Sequence, residues 1–68
     1  MIKFIIDEQA LANGAHTIHN ASKGCEDLPK TEDQRFLGYF ESHKLVKKWA
    51  VMHWPTEKIQ VCEKCCES

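Results

Sequence analysis

The sequence has little arginine, no long apolar run and no excess of either charge sign. Arg35 is the one arginine among nine basic residues, and ten acidic residues bring the formal charge to −1. Guanine and phosphate recognition depend on the bidentate arginine fork, and nucleic-acid-binding domains usually carry a basic excess. This composition therefore argues against DNA or RNA as the partner, and it gives no electrostatic reason to expect an anionic membrane.

Targeting and membrane-spanning patterns are also absent from the sequence. The apolar run in residues 1–6 is interrupted by Lys3 and ends at Asp7, so it is shorter than the roughly 7–15 apolar residues of a secretory h-region. No segment approaches the roughly 18 apolar residues of a membrane span. We therefore expect a cytoplasmic protein, and in that reducing compartment clustered cysteines hold metal more often than they form disulfides.

The chain is so short that its hydrophobic core is expected to need additional stabilisation. Its 68 residues, 43% of them hydrophobic, are expected to form a single small domain over residues 1–68. Ordering them costs on the order of 100 kcal/mol at about 1.5 kcal/mol each, which so small a core barely offsets. Domains of this size often add disulfides, a metal or a partner subunit. Four cysteines and four histidines could provide such a crosslink.

Short runs of β-branched and aromatic residues predict the strands. They occupy residues 3–6, 15–19, 36–40 and 59–61. Asn13 and Gly14 both tolerate positive φ, so they predict a turn that pairs the first two runs as a hairpin. Residues 20–35 are rich in polar residues and contain Pro29, which is typical of a loop.

An amphipathic helix of about eleven residues is the clearest predicted element. Ser42 can serve as its N-cap, and Pro55 requires it to stop. Leu45, Trp49 and Met52 recur at spacings of three and four, beside Val46 and Ala50, and form an apolar stripe. The opposite side carries Lys44, Lys47 and Lys48.

The apolar stripe of the helix is expected to form the core with the strands. Its predicted packing partners are Phe4, Ile6, Phe36, Tyr39 and Phe40. The sequence therefore predicts an α+β fold: a small metal-stapled domain with a short antiparallel sheet and one amphipathic helix.

Two pairs of possible metal ligands lie far apart in the chain. Cys62 and Cys65 form a C-x-x-C motif, whose spacing lets one turn aim both sulfurs at a common centre. His19 and Cys25 lie upstream, at the end of a predicted strand and in a loop. Together these four residues supply one nitrogen and three sulfurs, a common set for closed structural Zn²⁺ sites. We predict a zinc site formed by His19, Cys25, Cys62 and Cys65.

Several alternatives to this ligand set remain open. The cysteines could form two disulfides, act as a redox pair or be ordinary thiols, and a thiolate-rich site also suits iron. His16 could supply the nitrogen instead of His19; we prefer His19 because it is nearer Cys25, and a strand would send residues 16 and 19 to opposite faces. Cys66 is a surplus thiol that could replace Cys65.

The order of these parts resembles the metal-binding domain of Ada-type alkyl-DNA repair proteins. The matching segments are residues 18–25, residues 40–42, the helix and residues 61–65, so the resemblance covers roughly residues 15–66. In that family the ligands are all cysteine, and a zinc-bound cysteine accepts a methyl group from a DNA phosphotriester. Here the first ligand position is His19 and the loop to Cys25 is longer. The resemblance implies a metal-ligand role for the same four positions.

The function that these features favour is that of a non-enzymatic zinc-binding mini-domain that acts as a protein-interaction module. The first alternative is a small phage- or mobile-element-type inhibitor that docks on a larger host complex, with Trp49, Trp54 and Tyr39 as interface anchors. The second is a nucleic-acid-binding or methyl-accepting module of Ada-like type. Its local support is the row of lysines on the helix.

Overall fold

Four strands and one helix make up the fold in the computed structural model, which describes residues 1–24 and 28–64. These elements are β1 (Ile2–Asp7), β2 (Ala15–Asn20), β3 (Gln34–Phe40), α1 (His43–His53) and β4 (Lys58–Val61). The predicted α+β class is confirmed. β3 begins two residues earlier than predicted, and a short 3-10 turn, Thr31–Asp33, precedes it.

The strands form a mixed sheet in the order β3-β1-β2-β4. β1 is antiparallel to both of its neighbours, whereas β4 runs parallel to β2, with Ala15 opposite Lys58 and Ile18 opposite Val61. The predicted sheet was antiparallel throughout, and that part of the prediction was wrong for β4. Parallel neighbours need a crossover connection, and here the chain from β2 to β4 passes through β3 and α1.

The predicted hairpin between β1 and β2 is confirmed, and local hydrogen bonds define its turn. The Asn13 side-chain Oδ1 accepts a hydrogen bond from the Ala15 N–H at 2.9 Å. Gly14 has φ +85° and donates its N–H to the Leu11 carbonyl at 2.8 Å. Glycine adopts this positive φ without a steric penalty, so the turn conformation follows directly from the sequence.

α1 covers one face of the sheet and buries the core against it. The helix follows Ser42 as its N-cap and ends before Trp54, whose N–H donates to the Ala50 carbonyl at 2.9 Å. Within the described residues, no helix is long and apolar enough to cross a membrane. The buried cluster between α1 and the sheet contains Phe4, Ile6, Ile18, Leu37, Val46, Ala50 and Cys62.

The side chains of α1 that pack on the sheet differ from the predicted stripe of Leu45, Trp49 and Met52. Val46 and Ala50 are fully buried, whereas Leu45 is 50% and Met52 71% exposed. Trp49 lies at the edge of the contact, with its ring centroid 5.9 Å from that of Phe40. Small and β-branched residues one turn apart allow a close approach of helix to sheet, so Val46 and Ala50 occupy the centre of the contact.

A bulge in the pairing of β1 with β3 changes which side chains of β3 face the core. The register shifts between Phe4 and Ile5: Phe4 lies opposite Gly38, but Ile5 lies opposite Phe36. Leu37 is the extra residue, and it is buried, while Phe36 is 57% exposed. Tyr39 is likewise 59% exposed, so the predicted core positions of these two aromatics were wrong.

Substituting Gly38 is expected to destabilise the fold at this bulge. Gly38 has φ +136°, and an added Cβ would lie 3.3 Å from the Phe40 Cε1 atom. We expect Gly38→Ala to lower the free energy of unfolding by about 1–3 kcal/mol, since L residues rarely adopt this φ. Gly14→Ala is the matched control, because Gly14 also has positive φ but no atom within 4 Å of the added Cβ. Urea denaturation measures both, and a smaller cost at Gly38 than at Gly14 would contradict the importance of the bulge.

Candidate metal centre

The parallel pairing of β2 with β4 brings His19 and Cys62 to neighbouring positions. Ile18 lies opposite Val61, and the Cys62 N–H donates to the Ile18 carbonyl at 2.9 Å. Cys62 is the first residue after β4 and follows Val61 as His19 follows Ile18, so their backbones are neighbours, while the Cys62 side chain packs in the cluster under α1. His19 is 3% and Cys62 8% exposed, and both line the same depression. These two predicted ligands are separated by 42 intervening positions in the sequence.

The other residues at this depression were not singled out by the sequence. Thr17 and Gln60 also line it and are joined by a 3.4 Å hydrogen bond from the Gln60 Nε2 to the Thr17 Oγ1. Lys47 reaches the depression from α1. No local signal marks Lys47, because its position depends on how the helix crosses the sheet.

His16, the alternative nitrogen ligand, lies on the other face of β2 and is engaged there. Its Nδ1 is 2.9 Å from the Asp7 carbonyl oxygen, so this nitrogen must carry the proton and donate. Its Nε2 lies 3.7 Å from the Glu57 carboxylate. Strand alternation separates the His16 ring from that of His19. His16 therefore lies away from the depression that His19 lines.

The predicted ligands Cys25 and Cys65, and the surplus Cys66, lie outside the described residues. The residues just before Cys25 form a turn at the end of β2. The Asn20 side chain accepts a hydrogen bond from the Lys23 N–H at 2.9 Å, and the Asn20 carbonyl accepts one from the Gly24 N–H at 3.2 Å. Cys25 therefore follows directly on a residue that is hydrogen-bonded to the end of the same strand as His19.

The described residues contain two of the four predicted ligands. Within residues 1–24 and 28–64, no three His, Cys, Asp or Glu side chains come together as a group able to hold a metal. His53 belongs to the helix surface, where its ring stacks on Trp49 at a centroid distance of 3.8 Å. His19 and Cys62 are accordingly the described half of the predicted site.

The described half of the site offers one borderline nitrogen and one soft sulfur donor, the ligand types that Zn²⁺ prefers. His19 lies within β2, and Cys62 is the first residue after β4. A metal bound there would connect the end of β2 with the end of β4. No protein-family model, curated protein sequence or solved structure matches the chain.

Proposed function

We propose that this protein is a non-enzymatic domain in which one Zn²⁺, bound by His19, Cys25, Cys62 and Cys65, stabilises the fold, and that the domain acts as a protein-interaction module. The observation that supports the metal part is that His19 and Cys62 are both buried and both line one depression. Cys25 follows His19 six positions later, and Cys65 follows Cys62 three positions later.

Chain reach supports the same set of four ligands. A residue of extended chain spans at most about 3.6 Å, so the three-residue step limits the distance from Cys62 to Cys65 to roughly 11 Å. The turn formed by Asn20–Gly24 keeps residue 24 near the end of β2, because the Gly24 N–H bonds back to the Asn20 carbonyl. A tetrahedral site with Zn–S distances of about 2.3 Å is compatible with these tethers.

The energetic role of the metal follows from the small core. Among residues 1–24 and 28–64, seven make up the buried cluster between helix and sheet. Structural zinc contributes an apparent ~10–16 kcal/mol in small peptides, comparable with the whole net stability of a domain. A closed site with four protein ligands leaves no position for a reactive water. The proposed role of the metal is therefore structural rather than catalytic.

Exposed apolar side chains support the interaction part of the proposal. Leu45 and Met52 on α1, and Phe36 and Tyr39 on β3, each expose half or more of their surface. Phe36 and Tyr39 pack against each other edge to face, with centroids 5.7 Å apart. Large apolar and aromatic side chains on a protein surface often mark interaction sites.

Metal content tests the proposal directly. We expect mass-spectrometric elemental analysis of the purified chain to find one zinc per chain, released on thiol modification. His19→Asn should lose the metal, whereas His16→Asn and Cys66→Ser should retain it. Less than about half an equivalent of zinc in protein purified without chelators would contradict the proposal, since structural zinc binds tightly at neutral pH. A full equivalent of iron instead would also contradict it.

A further inference from the structure

The outer side of α1 presents an apolar stripe to solvent. Leu45 is 50% and Met52 71% exposed, and Trp49 lies between them on the same side of the helix. The Trp49 ring is held in place by Phe40, at 5.9 Å, and by stacking with His53, at 3.8 Å. We refer to Leu45, Trp49 and Met52 as the outer helix face.

The outer helix face is bordered by positive charge. Lys44 and Lys48 are one turn apart beside it, and both are exposed. The segment His43–His53 contains three of the nine basic residues and no acidic residue, although the chain as a whole has a charge of −1. In the part of the chain that the structure describes, neither Lys44 nor Lys48 forms a salt bridge. Both ammonium groups are thus available to a carboxylate from outside.

We propose that the outer helix face docks an acidic amphipathic helix of a partner protein. Leu45, Trp49 and Met52 have the i, i+4, i+7 spacing with which one helix packs its apolar side chains against another protein surface. Carboxylates flanking the apolar side of the partner helix would pair with Lys44 and Lys48. This inference rests on the proposed interaction role, but it does not depend on the metal.

A partner protein fits this surface better than a membrane does. An interfacial helix inserts a wide apolar face among the lipids, but Val46 and Ala50, at the centre of the apolar side of α1, are already buried against the sheet. What remains is a narrow stripe with lysines along one border, which suits one complementary helix.

Selection from a display library of helical peptides, with the full chain as bait, tests the proposal. We expect the enriched peptides to combine an apolar stripe with flanking Asp or Glu. The double variant K44E/K48E should weaken their binding by at least about 10-fold, because charge complementarity becomes charge repulsion. L45S/M52S should weaken it similarly. The matched control is K23E/K30E, which changes the same charge at exposed positions away from α1 and should alter binding by less than about 2-fold. Thermal melts verify that each variant is folded.

Three results would overturn the assignment of this surface. The first is that the enriched peptides have no acidic bias, or that neither helix variant changes their affinity. This result would contradict the docking surface but not the interaction role. The second is self-association in sedimentation that K44E/K48E abolishes, which would identify a second copy as the occupant. The third is binding to phosphatidylserine vesicles with no peptide enriched, which would identify a membrane. Zinc content measured on the same preparations reports separately on the metal part of the proposed function.

Discussion

The proposed zinc centre predicts that replacing Cys62 with alanine removes any stabilisation of this domain by zinc. Alanine keeps an apolar side chain at a position that is 8% exposed and packed in the core, but it removes a ligand. In zinc-containing buffer we expect the free energy of unfolding to fall by about 4 kcal/mol or more, a fraction of the ~10–16 kcal/mol that structural zinc contributes in peptides. For so small a domain this loss approaches the whole net stability.

The comparison with chelated protein separates metal binding from packing. In excess chelator, Cys62→Ala should cost only about 1 kcal/mol relative to the unchanged chain, the value of one small buried apolar group. Denaturant unfolding with and without zinc gives both numbers. Cys66→Ala serves as the control thiol and should change neither. An equal cost of Cys62→Ala in zinc and in chelator would mean that Cys62 contributes by packing alone, and the proposed centre would be wrong.

Replacing Phe4 with alanine should have the second large effect, this time on the apolar core. Phe4 is 1% exposed on β1, with its ring centroid 6.3 Å from that of Phe40. Truncation of a buried phenylalanine costs about 3–5 kcal/mol, through lost apolar transfer and the cavity left behind. We expect most of this cost to appear as a lower urea midpoint with an unchanged slope.

Phe36→Ala provides the matched control for Phe4→Ala, because the same residue type lies on the neighbouring strand. The Phe36 side chain is 57% exposed, packed edge to face on Tyr39 and with the Lys3 ammonium 5.8 Å from its ring centre. We expect a cost of about 1 kcal/mol or less, the range of such partly exposed pairs. Comparable losses for the two substitutions would contradict the register shift that turns Phe36 away from the core.

Sequence reasoning succeeded where the signal acts locally. Pro55 stops the helix through its own backbone, and Asn13 and Gly14 specify a turn through their own φ preferences. α1 does begin after Ser42, but the Ser42 side chain forms no capping hydrogen bond. It failed at β3, where Leu37 rather than Phe36 faces the core. A single extra residue at a bulge reverses which side chains point inwards, and no sequence pattern near it predicts the bulge.

For the candidate site, too, the residue types follow from the sequence, whereas their arrangement depends on the tertiary structure. Residue types and the C-x-x-C spacing predict His19 and Cys62 as ligands, because donor chemistry belongs to each side chain; this stays a prediction. Their adjacency depends on β4 lying parallel to β2, a pairing between segments some 40 residues apart. The engagement of His16 by the Asp7 carbonyl, and the approach of Lys47 to the site, likewise arise from contacts between distant segments.

Local chemistry in the chain thus specified the class of fold, the limits of the helix and the first hairpin. The choice of Val46 and Ala50 as the buried stripe of α1, the direction of β4 and the inward position of Leu37 arose when the helix packed on the sheet. The physical reason is that backbone preferences act over a few residues. Burial and strand pairing, in contrast, are decided by competition among all the segments that can cover the same surface.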